Sequence, residues 1–212
     1  HVYKKTNMKN LCFGGGVALN GVANYRILKE SSFENLHIPP SPGDAGSAVG
    51  CAQYLYHCFH QNKKIEQTTS ERVKNNIYVG PEYSNNDIKL FLDQKNINYD
   101  YLERDVLIKK TANLISEGNI VGWYQGKMEW GPRALGNRSI LADPRKNEMK
   151  DILNRKIKHR ESFRPFAPSI LEEFVPEYFE LDITSPYMLL VAKIKKPEII
   201  PAVTHVDGTG RL

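Results

Sequence analysis

Short apolar runs alternate with amphipathic stretches from one end of the chain to the other. Residues 7–60 carry this rhythm twice. Leu11 to Phe13 form an apolar run that reaches three glycines and then a helical stretch, with Asn20 placed as its cap. Leu36 to Ile38 repeat the strand, Pro39, Pro40, Pro42 and Gly43 make a rigid turn, and Asp44 caps a second helix. The apolar residues of that helix, Ala45, Ala48, Val49, Ala52, Leu55, Tyr56 and Phe59, recur with a period of about 3.6 residues. Residues 61–76 are polar and lose the periodicity, which predicts a linker or exposed loop. The pattern resumes at Ile77. Ile88, Phe91 and Leu92 have helical spacing, residues 97–103 alternate as a strand, and residues 104–118 predict a helix ended by Gly118. A buried strand over 120–126, a helix over 147–158, a strand over 187–194 and a turn at Asp207-Gly208 complete the reading. Helix and strand alternate throughout, so the fold class is α/β, divided into residues 1–76 with the linker and residues 77–212.

Composition narrows the class. The chain has 212 residues, 41% apolar and 25% charged, enough to build a sizeable core in one large domain or two small ones. No apolar run approaches the roughly 18 residues that a transmembrane helix needs. Cys12, Cys51 and Cys58 form no CxxC pair and sit among apolar neighbours in sequence, which argues against a disulfide scaffold or a cysteine zinc site. The formal charge of +5 permits an anionic ligand without requiring nucleic acid. That charge is unevenly spread. Residues 127–164 hold 11 Lys or Arg against 5 Asp or Glu, and the remainder of the segment from Ile77 is net negative.

Three features carry candidate chemistry. Gly14, Gly15 and Gly16 lie between a strand and a helix, where backbone N–H groups can approach a phosphate; a tight structural turn is the other reading, because neither GxGxxG nor a Walker A pattern is present. Asp44 is either a helix N-cap or one ligand of a metal whose remaining ligands lie elsewhere. The basic block interleaves its arginines with Gly, Pro, Trp and Phe, which can hold guanidinium groups in fixed positions for bidentate recognition of phosphate or carboxylate. An anionic small-molecule pocket, a nucleic-acid surface and structural ion pairs are the three readings of that block. Glu129 and Glu161 within it can orient neighbouring arginines, and they count against a nucleic-acid stripe.

The stretch GWYQGKMEWGPRALGNRSILADPR resembles the signature of the NodU/TobZ-type O-carbamoyltransferases. KIKHRESFRPFAPSIL and THVDGTGRL are similar to further blocks of that family, and FGGGVALNGVANYRI and PPSPGDAGSAVG to blocks of its preceding domain. The resemblance implies an actin/Hsp70-like (Kae1-like) domain followed by a YrdC-like α/β domain. It implies that carbamoyl phosphate and ATP form carbamoyl-adenylate, and that the carbamoyl group then passes to a hydroxyl of a small molecule or glycan precursor. Residue by residue, it assigns Gly15, Gly16, Val17 and Asn20 to the nucleotide side, and Asp44 to a divalent metal (Fe²⁺ or similar) shared with two histidines. It assigns Arg133, Arg138, Arg160 and Arg164 to the YrdC-like site, with Lys158 beside them as a phosphate contact. The metal histidines have no counterpart here, so the expectation is an internal fragment, inactive alone, of a cytoplasmic enzyme with no membrane or nucleic-acid partner. The glycine block also fits tRNA threonylcarbamoyl-transfer proteins, and a non-catalytic nucleotide-binding module is the remaining alternative.

Overall fold

A computed structural model describes residues 1–62 and 77–212. The expected linker falls mostly on residues 63–76, outside the described residues. Among these residues the architecture is mixed α/β, with three two-stranded sheets.

After a short helix α1 (Val2–Thr6), strand β1 (Asn10–Cys12) leads through the glycine turn and a 3-10 turn (Gly16–Leu19) into helix α2 (Gly21–Glu30). Asn20 caps α2 as expected: its side-chain oxygen accepts from Val22 N at 3.1 Å and Ala23 N at 3.2 Å, satisfying two N–H groups that the helix cannot pair itself. Strand β2 (Asn35–His37) returns parallel to β1, with Leu11 opposite Leu36. Parallel strands send their following loops out at the same end of the sheet. The glycine turn after β1 and the proline turn after β2 are therefore neighbours, and Gly15 N donates to Pro42 O at 2.7 Å.

Helix α3 (Asp44–Tyr54) starts at the proline turn and runs on as a π-helical segment over Leu55–Phe59. Two expectations change here. The cap position falls on the extended Gly43, and Asp44 occupies the first turn with no side-chain capping bond; its carboxylate there faces the positive end of the helix dipole. The apolar stripe is periodic but not buried: Leu55, Tyr56 and Phe59 are exposed, because no described element buries that face.

Helix α4 (Asn85–Gln94) opens on a capping box, Ser84 and Asp87 exchanging bonds with each other's backbone N–H. Helix α5 (Arg104–Ser116) ends where Gly118 takes a φ of 96°, as the pattern predicts. Residues 97–103 form no strand. Asn96 turns left-handed at the end of α4, and Tyr99 reaches back to Asp93, so the alternation finds no partner strand. Strand β3 (Val121–Tyr124) pairs antiparallel with β4 (Arg138–Leu141), and it is half-exposed instead of buried.

Helix α6 (Met149–Ile152) continues as a π-helical segment, Leu153–Lys158, together filling the helix expected over 147–158. Beyond a short helix α7 (Val175–Tyr178), strand β5 (Val191–Lys193) pairs antiparallel with β6 (Thr209–Arg211). The strand expected over 187–194 is shorter because Met188 adopts a positive φ, which no regular strand accepts. Leu190 and Leu212 extend the pairing through reciprocal backbone bonds. The Asp207-Gly208 turn forms as predicted.

The main core gathers around this last sheet: Phe179, Leu181, Leu190, Ala192, Ile194 and Val203 pack together. Helix α2 docks on it through Asn24, which is fully buried and donates to Ala18 O and Leu189 O, each at 2.8 Å. The cysteines are free and exposed, not set in apolar surroundings, and no described helix is long and apolar enough to cross a membrane.

Candidate functional site

The basic block folds around one buried acid. Glu129, 2% exposed, lies between β3 and β4. Its Oε1 accepts from Leu135 N at 2.6 Å, Asn137 N at 2.7 Å and Arg138 N at 3.3 Å. These bonds close residues 131–137 into a compact turn. Gly131 and Gly136 both take a φ of 109° there, a conformation that side chains with a Cβ rarely adopt. Burial pushes the Glu129 carboxyl up, but the backbone N–H groups of Asn137, Leu135 and Arg138 and its own outweigh burial, and its pKa ends below the ordinary value.

Arg138 lies against the same carboxylate, its Nε 3.5 Å from Glu129 Oε2. Its Nη2 donates to Gly131 O at 2.5 Å and Arg133 O at 3.3 Å. Arg133 sits on the turn itself, half-buried, with one Nη 3.5 Å from Leu19 O and a buried Nε that has no partner among the described residues. Burial lowers its pKa from the ordinary value. Arg211, at the end of β6, is in the same state. Its Nε is buried and unpartnered among the described residues, and burial first, then the neighbouring charge of Arg133, lowers its pKa.

Both guanidinium groups line one cavity of about 1310 Å³. Its wall contains four cations, Arg133, Lys150, Lys158 and Arg211, over an apolar patch that includes Met149 and Leu153. Three carboxylates also reach the wall: Asp143 is held by Arg145 at 2.8 Å, Asp182 by Lys29 at 3.3 Å, and Glu172 is exposed to solvent. Two desolvated like charges with unused donors make an anion-binding arrangement: an oxyanion supplies both the missing counter-charge and the missing acceptors.

Arg160 and Arg164 stand apart from that wall. Arg160 Nε donates to Asn154 Oδ1 at 2.7 Å and its guanidinium covers the Phe166 ring at 4.8 Å, while Phe166 itself lines the cavity. Burial and then the charge of Arg164 push the Arg160 pKa down. Arg164 pairs with Glu161 at 3.0 Å on the surface. Asn154, fully buried, donates to Ser162 O and Arg164 O and so fixes this second arginine turn. Lys158 reaches the cavity wall from the exposed end of the π-helical segment.

The other candidates form a second locus at the ends of β1 and β2. Space is open around Gly15 and Gly16, and Val17 is exposed. Asn20 spends its side-chain oxygen on the cap of α2. Asp44 is exposed, and among the described residues no group of three or more His, Cys, Asp or Glu is placed to hold a metal. The two loci touch: a Cβ on Gly131 would lie 3.1 Å from Pro40 O, and Arg133 reaches Leu19 O.

The proline turn is locked by close backbone approach. A Cβ built on Gly46 would overlap the carbonyl oxygen of buried Ser41, whereas one on Gly50 in the same helix would meet open space. Gly46→Ala is therefore expected to destabilise the protein by about 1–3 kcal/mol through overpacking, although alanine favours helix by about 1 kcal/mol. Gly50→Ala should be neutral or stabilising. Urea denaturation of the two variants checks the contrast.

Arg211 did not stand out in the sequence. The signal was there, an arginine alternating with buried Gly210 and Leu212, but only the pairing of β6 with β5 and the approach of Arg133 reveal what it faces. Lys150 did not stand out either; it reaches the cavity wall from α6.

Residues 1–53 match the carbamoyltransferase N-terminus model and residues 112–212 the carbamoyltransferase C-terminus model. The chain is 44% identical to an uncharacterized protein of Synechocystis, covering all of this chain and 38% of that protein. It is 40% identical to nodulation protein NolO of Bradyrhizobium diazoefficiens, covering all of this chain and 39% of the relative. Against nodulation protein U of Rhizobium fredii it is 35% identical over 96% of the chain and 32% of the relative. It thus spans under two-fifths of the length of these relatives. With two family models in chain order, and relatives matched along nearly its whole length, the chain belongs to the carbamoyltransferase family.

Proposed function

We propose that the chain works within an O-carbamoyltransferase. That enzyme hydrolyses carbamoyl phosphate with one water to carbamate and phosphate, joins a carbamate oxygen to the α-phosphorus of ATP with release of pyrophosphate, and passes the carbamoyl group of this adenylate to a hydroxyl of a sugar or other small molecule with release of AMP. The observation that carries this reading is the pair Arg133 and Arg211, two half-buried guanidinium groups with unpartnered Nε atoms on one cavity wall. Both substrates are polyanions. Adenylate formation concentrates negative charge on the leaving pyrophosphate, and guanidinium groups fixed on the cavity wall stabilise that charge with little reorganisation. Lys158 and Lys150 add mobile charge at the rim, and Arg160 and Arg164 form the adjoining turn.

In this reading residues 77–212 belong to a YrdC-like adenylating unit. The parallel β1–β2 pair, with its glycine turn and Asp44 at one end, belongs to an actin/Hsp70-like (Kae1-like) transfer unit. Gly15, Gly16 and Val17 offer backbone to a nucleotide, and Asn20 supports that turn by capping α2. Asp44 gives a divalent metal one carboxylate; the described residues do not complete a metal site, so no step is assigned to one. The need for ATP and carbamoyl phosphate places the enzyme in the cytoplasm.

The test is carbamoyl-phosphate-dependent exchange of labelled pyrophosphate into ATP by the full-length enzyme. Exchange that requires carbamoyl phosphate is the expected result; its absence overturns the assignment.

A further inference from the structure

We infer that Glu129 and Arg138 are positioning residues, which act by holding the 131–137 turn so that the Arg133 guanidinium meets the anion. The inference rests on the anion-site reading above. The cavity wall takes Pro132, Arg133, Ala134, Leu135, Gly136 and Ser139 from this segment and skips Arg138. Arg138 instead turns inward, its Nη2 on the carbonyls of Gly131 and Arg133 and its Nε against Glu129. It binds the backbone of the very residue that faces the cavity.

Glu129 holds the turn from the other side, gathering three backbone N–H groups on one oxygen. Tyr78 adds a bond from its hydroxyl to Leu135 O at 2.9 Å. A buried carboxylate is costly to keep charged unless its surroundings compensate it. Here three N–H groups satisfy Oε1, and Arg138 sets its charge 3.5 Å from Oε2, which accepts no hydrogen bond among the described residues. The charge in turn offsets Arg138, so that positive charge is left in surplus at Arg133 and Arg211. A neutral acceptor at position 129 would keep the amide bonds but leave Arg138 uncompensated and free to swing from the two carbonyls.

The test is a double-mutant cycle on the full-length enzyme, with inorganic pyrophosphate binding measured by calorimetry at fixed salt. Arg133→Ala is expected to weaken binding by roughly tenfold or more, as for loss of a charge-assisted contact. Glu129→Gln and Arg138→Lys should each weaken it by a similar factor in the wild-type background and have little further effect when Arg133 is already alanine. A residue that only stabilises the fold would give the same loss in both backgrounds, and that additive result overturns the inference. Arg138→Lys carries the cycle if Glu129→Gln does not fold. Wild-type-like binding by both positioning variants, with Arg133→Ala impaired, overturns the positioning role alone. Wild-type-like binding by Arg133→Ala, or no binding by the wild type, overturns the anion site and this inference with it.

Discussion

Arg133→Ala in the full-length enzyme is expected to lower carbamoyl-phosphate-dependent ATP–pyrophosphate exchange by about 10²–10³-fold, the range for removing one preorganised donor from a developing oxyanion. The size follows from where Arg133 sits. Its Nε is buried without a partner and its charge is desolvated beside Arg211. Such a group is poorly satisfied in the free protein and gains most when the anion arrives, so its interaction strengthens along the reaction. An exposed pair such as Arg164 with Glu161 has water and a partner already. Arg164→Ala should therefore cost far less, within about tenfold. Arg133→Lys should recover little of the loss, because an ammonium has neither the planar fork nor the reach to keep Leu19 O and the anion together. Equal exchange rates for Arg133→Ala and Arg164→Ala would remove Arg133 from the site.

The elements with strong local signals were legible in the sequence. Asn20 caps α2 because its side chain supplies the acceptor that the first turn lacks, and Gly118 ends α5 because its backbone conformation excludes other residues. Both are local physics. The failures were of another kind. Residues 97–103 alternate as a strand should, yet a strand needs a partner, and Asn96 turns the chain away from one. The 187–194 run is apolar enough for a long strand, but a positive φ at Met188 breaks it. Asp44 has a capping side chain, and Gly43 takes the cap position.

The candidate site divides along the same line. The interleaving of arginine with Gly and Pro told that guanidinium groups would be held in place, and Glu129 was legible as an orienting acid. Which arginine faces solvent, carbonyl or cavity was not. Arg133 and Arg138 are five residues apart in one motif, and their different surroundings arise only when the turn closes on Glu129. Arg211 joins them from β6, a separation no spacing rule spans.

Glu129 is also where the largest loss of stability is expected. Glu129→Ala should destabilise the full-length protein by about 2–3 kcal/mol, chiefly from buried backbone donors left without an acceptor, since the Arg138 side chain is one-third exposed. Three backbone N–H groups lose their shared acceptor, and Arg138 is left as an uncompensated charge against two carbonyls. The same carboxylate makes stability depend on pH. Its pKa is lower folded than unfolded, so the unfolded state binds the proton more readily. The stabilisation is fully present above the ordinary glutamate value of about 4.3 and is lost as the pH falls through the lower folded value. Asp143, lowered by Arg145 beside it, adds to the same acid limb. His205 begins the decline earlier. Burial lowers its pKa, so protonation below about 6.5 favours the unfolded chain. Urea midpoints should therefore fall in two stages, first through the histidine range and then through the carboxylate range. Glu129→Gln should make the second stage shallower, leaving the share of Asp143, and leave the first stage as it is. A second stage of unchanged depth in Glu129→Gln would mean that the buried carboxylate is not what the folded state protects from protons.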